Sequence, residues 1–105
     1  MQGYQLTFFT QQDRKHNTIP LAHWLLEEAR SIGISGATLT TAAEGFGRER
    51  KIHSAHFFDL ADQPVEVTMA VSEADADRLF ARLQEEGVNI FYAKTPIEFG
   101  MTGDL

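Results

Sequence analysis

The chain has 105 residues, enough for one domain with a modest core and too few for two. It carries 15 acidic residues against 9 basic ones, a formal charge of −6, which tells against general binding to nucleic acid, whose phosphate backbone needs a basic surface. It has no cysteine, so disulfide scaffolds, thiolate metal centres and cysteine nucleophiles are excluded.

No apolar run approaches the ~20 residues that cross a bilayer. The opening Met1-Gln2-Gly3-Tyr4 lacks the basic-then-apolar order of a secretory leader, so the expected compartment is the cytoplasm.

Residues 4–10 alternate, Tyr4, Leu6 and Phe8 on one face and Gln5, Thr7 and Phe9 on the other, which predicts a strand. The polar run Gln11–Asn17 reads as a loop. Thr18 is the expected N-cap of a helix with Pro20 in its first turn, where the missing N–H costs nothing. Leu21, Trp24, Leu25, Ala29 and Ile32 then recur at helical spacing, and Gly33 is the expected stop. Trp24 belongs to that stripe and is expected in the core; its neighbour His23 is expected outside it.

Ile34–Ala43 reads as a second strand, with Ala37, Leu39 and Thr41 on one face. Residues of about 44–63 form a connection too long for a simple hairpin, the kind that is functional or disordered. Within it Ile52 to Phe58 alternate in part and could extend as a strand arm. Pro64–Val71 is the clearest strand, with Val65, Val67, Met69 and Val71 inward. Ser72 caps a second helix whose stripe is Ala76, Leu79, Phe80 and Leu83; Asp75 takes the capping-box position, and Arg78 and Arg82 are spaced for a solvated face. Gly87 ends it. Val88–Ala93 predicts a fourth strand, and the tail from Lys94 onward, about 95–105, is expected to be poorly ordered or used for contacts. The order βαββαβ is an α+β, ferredoxin-like arrangement in one domain, 1–105, with a long insertion between its central strands.

That insertion opens with Glu44-Gly45-Phe46-Gly47-Arg48, followed by Arg50, Lys51 and His53. Glycines on both sides of Phe46 permit backbone conformations closed to other residues, and successive N–H groups in such a turn can cup an anion. Arginines beside it add charge-assisted hydrogen bonds. The same residues would also suit an ordinary charged hairpin turn. No catalytic constellation accompanies them: no serine lies in a G-x-S-x-G elbow, and the paired carboxylates Glu27-Glu28 and Glu85-Glu86 fall on helices that normally face water. His53 and His56 would point to opposite faces of a strand and make a weak metal site.

Taken with the βαββαβ order, Ile32-Gly33-Ile34-Ser35-Gly36-Ala37-Thr38-Leu39-Thr40 and Gly45-Phe46-Gly47-Arg48 resemble the PII signalling proteins, and more closely the small PII-like proteins long grouped as a domain of unknown function. Asp13, His16, Pro20-Leu21, Ala29-Arg30 and Ile52-His53 belong to the same pattern, which covers about residues 5–92. The resemblance implies a homotrimer with a nucleotide site in each cleft between neighbours, and no enzyme activity. It places Gly36, Ala37 and Thr38 at the adenine end, Gly45, Phe46, Gly47 and Arg48 on the phosphates, and Gly87 and Asn89 on the same site. Arg50, Lys51 and His53 would read a second anion or the partner, with no metal.

Glu49 stands where PII has a glutamine, which tells against 2-oxoglutarate. The lysine before the fourth strand and the C-terminal arginines of PII are missing, Lys94 being the nearest cation, so ADP or AMP is expected rather than ATP. Some PII-like relatives sense adenine nucleotides together with bicarbonate, and the long T-loop of 44–63 would then act on a partner such as a membrane transporter. The alternative from another class is a CutA-like metal-tolerance protein using His16, His53 and His56.

Overall fold

The computed structural model describes residues 1–42 and 63–105, with the backbone of 44–45 and 53–54. In chain order the elements are β1 (Gln2–Gln11), β2 (Lys15–His16), β3 (Ile19–Pro20), α1 (Leu21–Ser31), β4 (Thr38–Thr41), β5 (Glu44–Gly45), β6 (His53–Ser54), β7 (Pro64–Val71), α2 (Glu73–Glu85) and β8 (Phe91–Glu98). Four strands make one sheet in the order β4-β7-β1-β8, with every neighbour antiparallel. This is the ferredoxin-like βαββαβ arrangement. No helix among the described residues is long and apolar enough to cross a membrane.

The period-2 and period-3.6 stripes meet in one core. Leu6 and Phe8 of β1 and Val65, Val67, Met69 and Val71 of β7 face Leu21, Leu25 and Ala29 of α1 and Ala76, Leu79 and Leu83 of α2. Trp24 is buried among them, as its spacing predicts, and His23 is exposed. The other face of the sheet carries Gln5, Thr7 and Phe9 beside Glu66, Thr68 and Ala70.

The largest departures from the sequence reading share one cause. Both helices close with the same pair of hydrogen bonds. After α1, Gly33 N–H donates to Arg30 C=O and Ile34 N–H to Ala29 C=O; after α2, Gly87 N–H donates to Gln84 C=O and Val88 N–H to Leu83 C=O. Gly33 at φ +93° and Gly87 at φ +66° supply the left-handed residue that this closure requires. Ile34 and Val88 are thereby spent on the helix ends. Apolar and alternating, they look like the first residues of strands, but β4 starts at Thr38 rather than Ile34, and β8 at Phe91 rather than Val88.

At the other end β8 runs on to Glu98, so Lys94 to Glu98, read as the start of the tail, pair with Leu6 to Gln2. Met1 and Phe99 extend that ladder through two 2.9 Å bonds. Phe99 covers Gly3, where a Cβ would collide with the Val71 carbonyl.

Thr18 is not a helix cap. Asn17 and Thr18 have φ +51° and +72° and form the two-residue turn of a β2–β3 hairpin that begins inside the stretch that reads as a loop and ends where the helix is expected to start. Positive φ at both central residues gives the twist such a hairpin needs. Pro20 then holds the cap position of α1 without a side-chain bond. At α2 the predicted cap is present, Ser72 Oγ accepting from Asp75 N–H at 3.1 Å.

Leu79 is fully buried in this core. Leu79→Ala should lower stability by about 2–5 kcal/mol, and Ser72→Ala, which removes one cap bond, by about 1 kcal/mol. Urea unfolding of the two variants checks the ordering.

Candidate functional site

The residues expected to bind nucleotide fall in three places. Gly36 and Ala37 lead into β4 and Thr38 opens it, at one edge of the sheet. Gly87 and Asn89 lie in the connection from α2 to β8, at the opposite edge. Gly45 is in β5, where its partner across a short ribbon is His53 of β6. Phe46, Gly47, Arg48, Arg50 and Lys51 lie outside the described residues, as does His56.

The two edges are three inter-strand spacings apart, roughly 14 Å. One protomer therefore does not bring Gly36–Thr38 and Gly87/Asn89 onto a common small ligand. It does bring Gly45 beside His53, joining one residue expected on phosphate with one expected on a second anion.

Around Gly87 and Asn89 the fold assembles residues that sequence spacing did not connect. Arg14, just before the hairpin, donates through Nη2 to the Asn89 carbonyl. His16 Nε2 is 3.2 Å from Glu86 Oε1. Its ring sits 4.5 Å, centroid to centroid, from that of Trp24. Among the described residues no three His, Asp or Glu side chains gather to hold an ion; the His53 and His56 side chains of the metal alternative lie outside those residues.

Arg82, expected on a solvated face, is instead the hub of a carboxylate cluster. Its Nε donates to Glu28 of α1 at 3.0 Å, and Nη1 lies 3.4 Å from both Glu85 and Glu86. The hydrogen bond to Glu28, with the charges of Glu28 and Glu86 added, raises the guanidinium pKa above its ordinary value despite some desolvation. The Glu85 and Glu86 spacings from Arg82, three and four residues, were a visible signal for part of this cluster. The Glu28 contact spans 54 positions of sequence and was not.

Lys94, the nearest counterpart of the missing C-terminal arginines, lies with its Nζ 4.1 Å from the Tyr4 ring centroid and 5.9 Å from that of Phe80. Phe80 in turn packs on Tyr92 at 4.8 Å. The cation is therefore held against an aromatic surface at the β8 edge.

Comparison with known proteins agrees with this architecture. Residues 3–90 match the family described as DUF190, Uncharacterized ACR, COG1993, and the chain belongs to that family. A UPF0166 protein of Aquifex aeolicus (strain VF5) is 29% identical over 75 residues, 71% of each chain.

Among solved structures, a PII-like signaling protein (TTHA0516) from Thermus thermophilus superposes with a TM-score of 0.68 at 24% identity, covering 92% of this chain and 88% of that one. The protein CPII from Thiomonas intermedia K12, bound to ADP and bicarbonate, gives 0.66 at 21% identity, covering 96% and 91%. CPII bound to ADP, AMP and bicarbonate gives 0.67 at 21% identity, with the same coverage. The fold is that of the PII-like signalling proteins.

Because a cation with a raised pKa loses its contribution only as pH climbs through that raised value, Arg82 stays charged at every ordinary working pH. Arg82→Ala should lower Tm, by a margin that stays constant from about pH 7 to about pH 9 and shrinks with added salt. Thermal melts across that range and a salt series check both statements.

Proposed function

We propose that the chain is a non-enzymatic sensor that binds an adenine nucleotide, ADP or AMP in preference to ATP, in clefts between copies of itself. The observation that carries this reading is the placement of the two candidate nucleotide segments on opposite edges of one sheet. A ring of identical subunits sets the β4 edge of one copy against the β8 edge of the next, and each cleft then receives Gly36, Ala37 and Thr38 from one side and Gly87 and Asn89 from the other. A homotrimer is the assembly proposed. The solved CPII complexes with ADP, AMP and bicarbonate support the choice of ligand class.

The Gly45–His53 ribbon gives the second part of the proposal. Gly45, Phe46, Gly47 and Arg48 close on the phosphates, while Arg50, Lys51 and His53 read bicarbonate or the partner. Since the ribbon pairs Gly45 with His53, a ligand held at one strand of the T-loop shifts the other. Its effect equals the difference in its affinity for the loop's two conformations. The output is contact with, or release of, a partner in the cytoplasm, a membrane transporter being the kind proposed.

Arg48→Ala should weaken ADP and AMP binding about tenfold or more with the oligomer intact, measured by calorimetry and by sedimentation. Unchanged affinity would remove Arg48 from the phosphate site. A thermal-shift panel of AMP, ADP, ATP, bicarbonate and divalent metals should show stabilisation by the first two at saturating concentration, about 2.7 kcal/mol at a hundred times Kd. Stabilisation by metal alone would favour the CutA-like alternative.

A further inference from the structure

The β2–β3 hairpin and Arg14 just before it have no part in the nucleotide reading above, yet together they grip the 86–90 connection at two points. Arg14 donates to the Asn89 carbonyl and His16 lies 3.2 Å from the Glu86 carboxylate. The hairpin is itself anchored. The Arg14 C=O accepts from Leu21 N–H at 2.8 Å, tying it to the start of α1, and the His16 ring packs on the buried Trp24. The connection is tied on its helix side by the Gly87 and Val88 bonds to α2. Between those bonds and the start of β8 at Phe91, Asn89 is the residue that the hairpin holds.

Charge makes this contact matter for an anion. The C-terminus of α2 presents partial negative charge, and Glu85 and Glu86 add to it. A phosphate approaching Gly87 and Asn89 would be repelled unless that charge is offset. Arg82 offsets part of that charge through its contacts at 3.4 Å, its single positive charge being shared with Glu28 as well. Arg14 brings a second guanidinium to the peptide at Asn89 itself.

We propose that Arg14 is a positioning residue for anionic ligand at the 86–90 connection. Its guanidinium fixes the Asn89 peptide against the hairpin and supplies positive charge beside it. The identity of the ligand as a nucleoside phosphate rests on the sensor reading; the latch on the 86–90 connection does not.

The test uses the full chain as wild type, Arg14→Ala and Arg14→Lys, all checked for an unchanged oligomer. Amide hydrogen exchange is followed in the free protein, and AMP and ADP affinities by calorimetry. Arg14→Ala should speed exchange at residues 87–90 with the middle of α2 unaffected, and should weaken binding about tenfold. Arg14→Lys, which keeps a charged donor, should recover most of both effects. Unaltered exchange at 87–90 in Arg14→Ala would overturn the latch. Faster exchange with unaltered affinity would overturn the positioning role. If the wild type takes up neither nucleotide while Arg14→Ala still speeds exchange, the sensor reading falls and the ligand role of Arg14 with it, whereas the latch is upheld.

Discussion

A ten-residue strand at the middle of an antiparallel sheet must satisfy its backbone on both sides at once, and β1 does so with β7 on one flank and β8 on the other. Everything else in the domain is arranged by that requirement. With β1 and β7 in the centre, β4 and β8 have no place except the two edges. The inward residues of the central pair, Leu6, Phe8, Val67 and Met69, are buried under two helices, while among the described residues each edge strand pairs on one side. The candidate binding segments Gly36–Thr38 and Gly87–Asn89 lie at the starts of those edge strands. Their separation within one subunit is thus a consequence of strand order rather than of local sequence.

The packing of the two helices on that sheet also arranges the charge at the end of α2. At the end of α2 the carboxylates of Glu85 and Glu86 are drawn into a cluster around Arg82. Glu28 joins them from α1, so the cluster also ties the two helices together above the sheet. One positive charge among three carboxylates offsets part of the charge that would oppose an anionic ligand, and the Asn89 carbonyl is engaged by Arg14.

Helix closure has an equally general role. Each helix is sealed by a glycine in the left-handed region and an apolar residue whose N–H reaches back to the last turn. The closure draws Ile34 into the core and leaves Val88 partly buried beside it, and it aims the following chain toward an edge of the sheet. Gly36 stands two residues beyond Ile34, and Asn89 directly follows Val88. Their backbones are positioned by the helix ends as much as by the strands that follow.

Much of this was legible from residue order. Alternation marked β7 to the residue, Ser72 announced the cap of α2, and Trp24 was assigned to the core because it shares a helical stripe with Leu21 and Leu25. The βαββαβ order followed from the same local patterns, and the motif around Gly45 carried the resemblance to the PII-like proteins. What periodicity could not separate was a strand's first residue from a helix's last contact, since Ile34 and Val88 are apolar in either role. Nor could it see the Asn17–Thr18 turn, because neither residue is glycine and both take positive φ only within the paired hairpin. Sequence alone determined the types of the two helices and of the four strands of the main sheet, and the inward faces of β1, β7 and the helices, because each depends on neighbours within a few residues. Only the tertiary structure decided that Arg14 meets Asn89 across 75 positions and that Arg82 meets Glu28 across 54. Long-range pairs of this kind are set by strand order and helix packing, which bring together side chains that no local pattern relates.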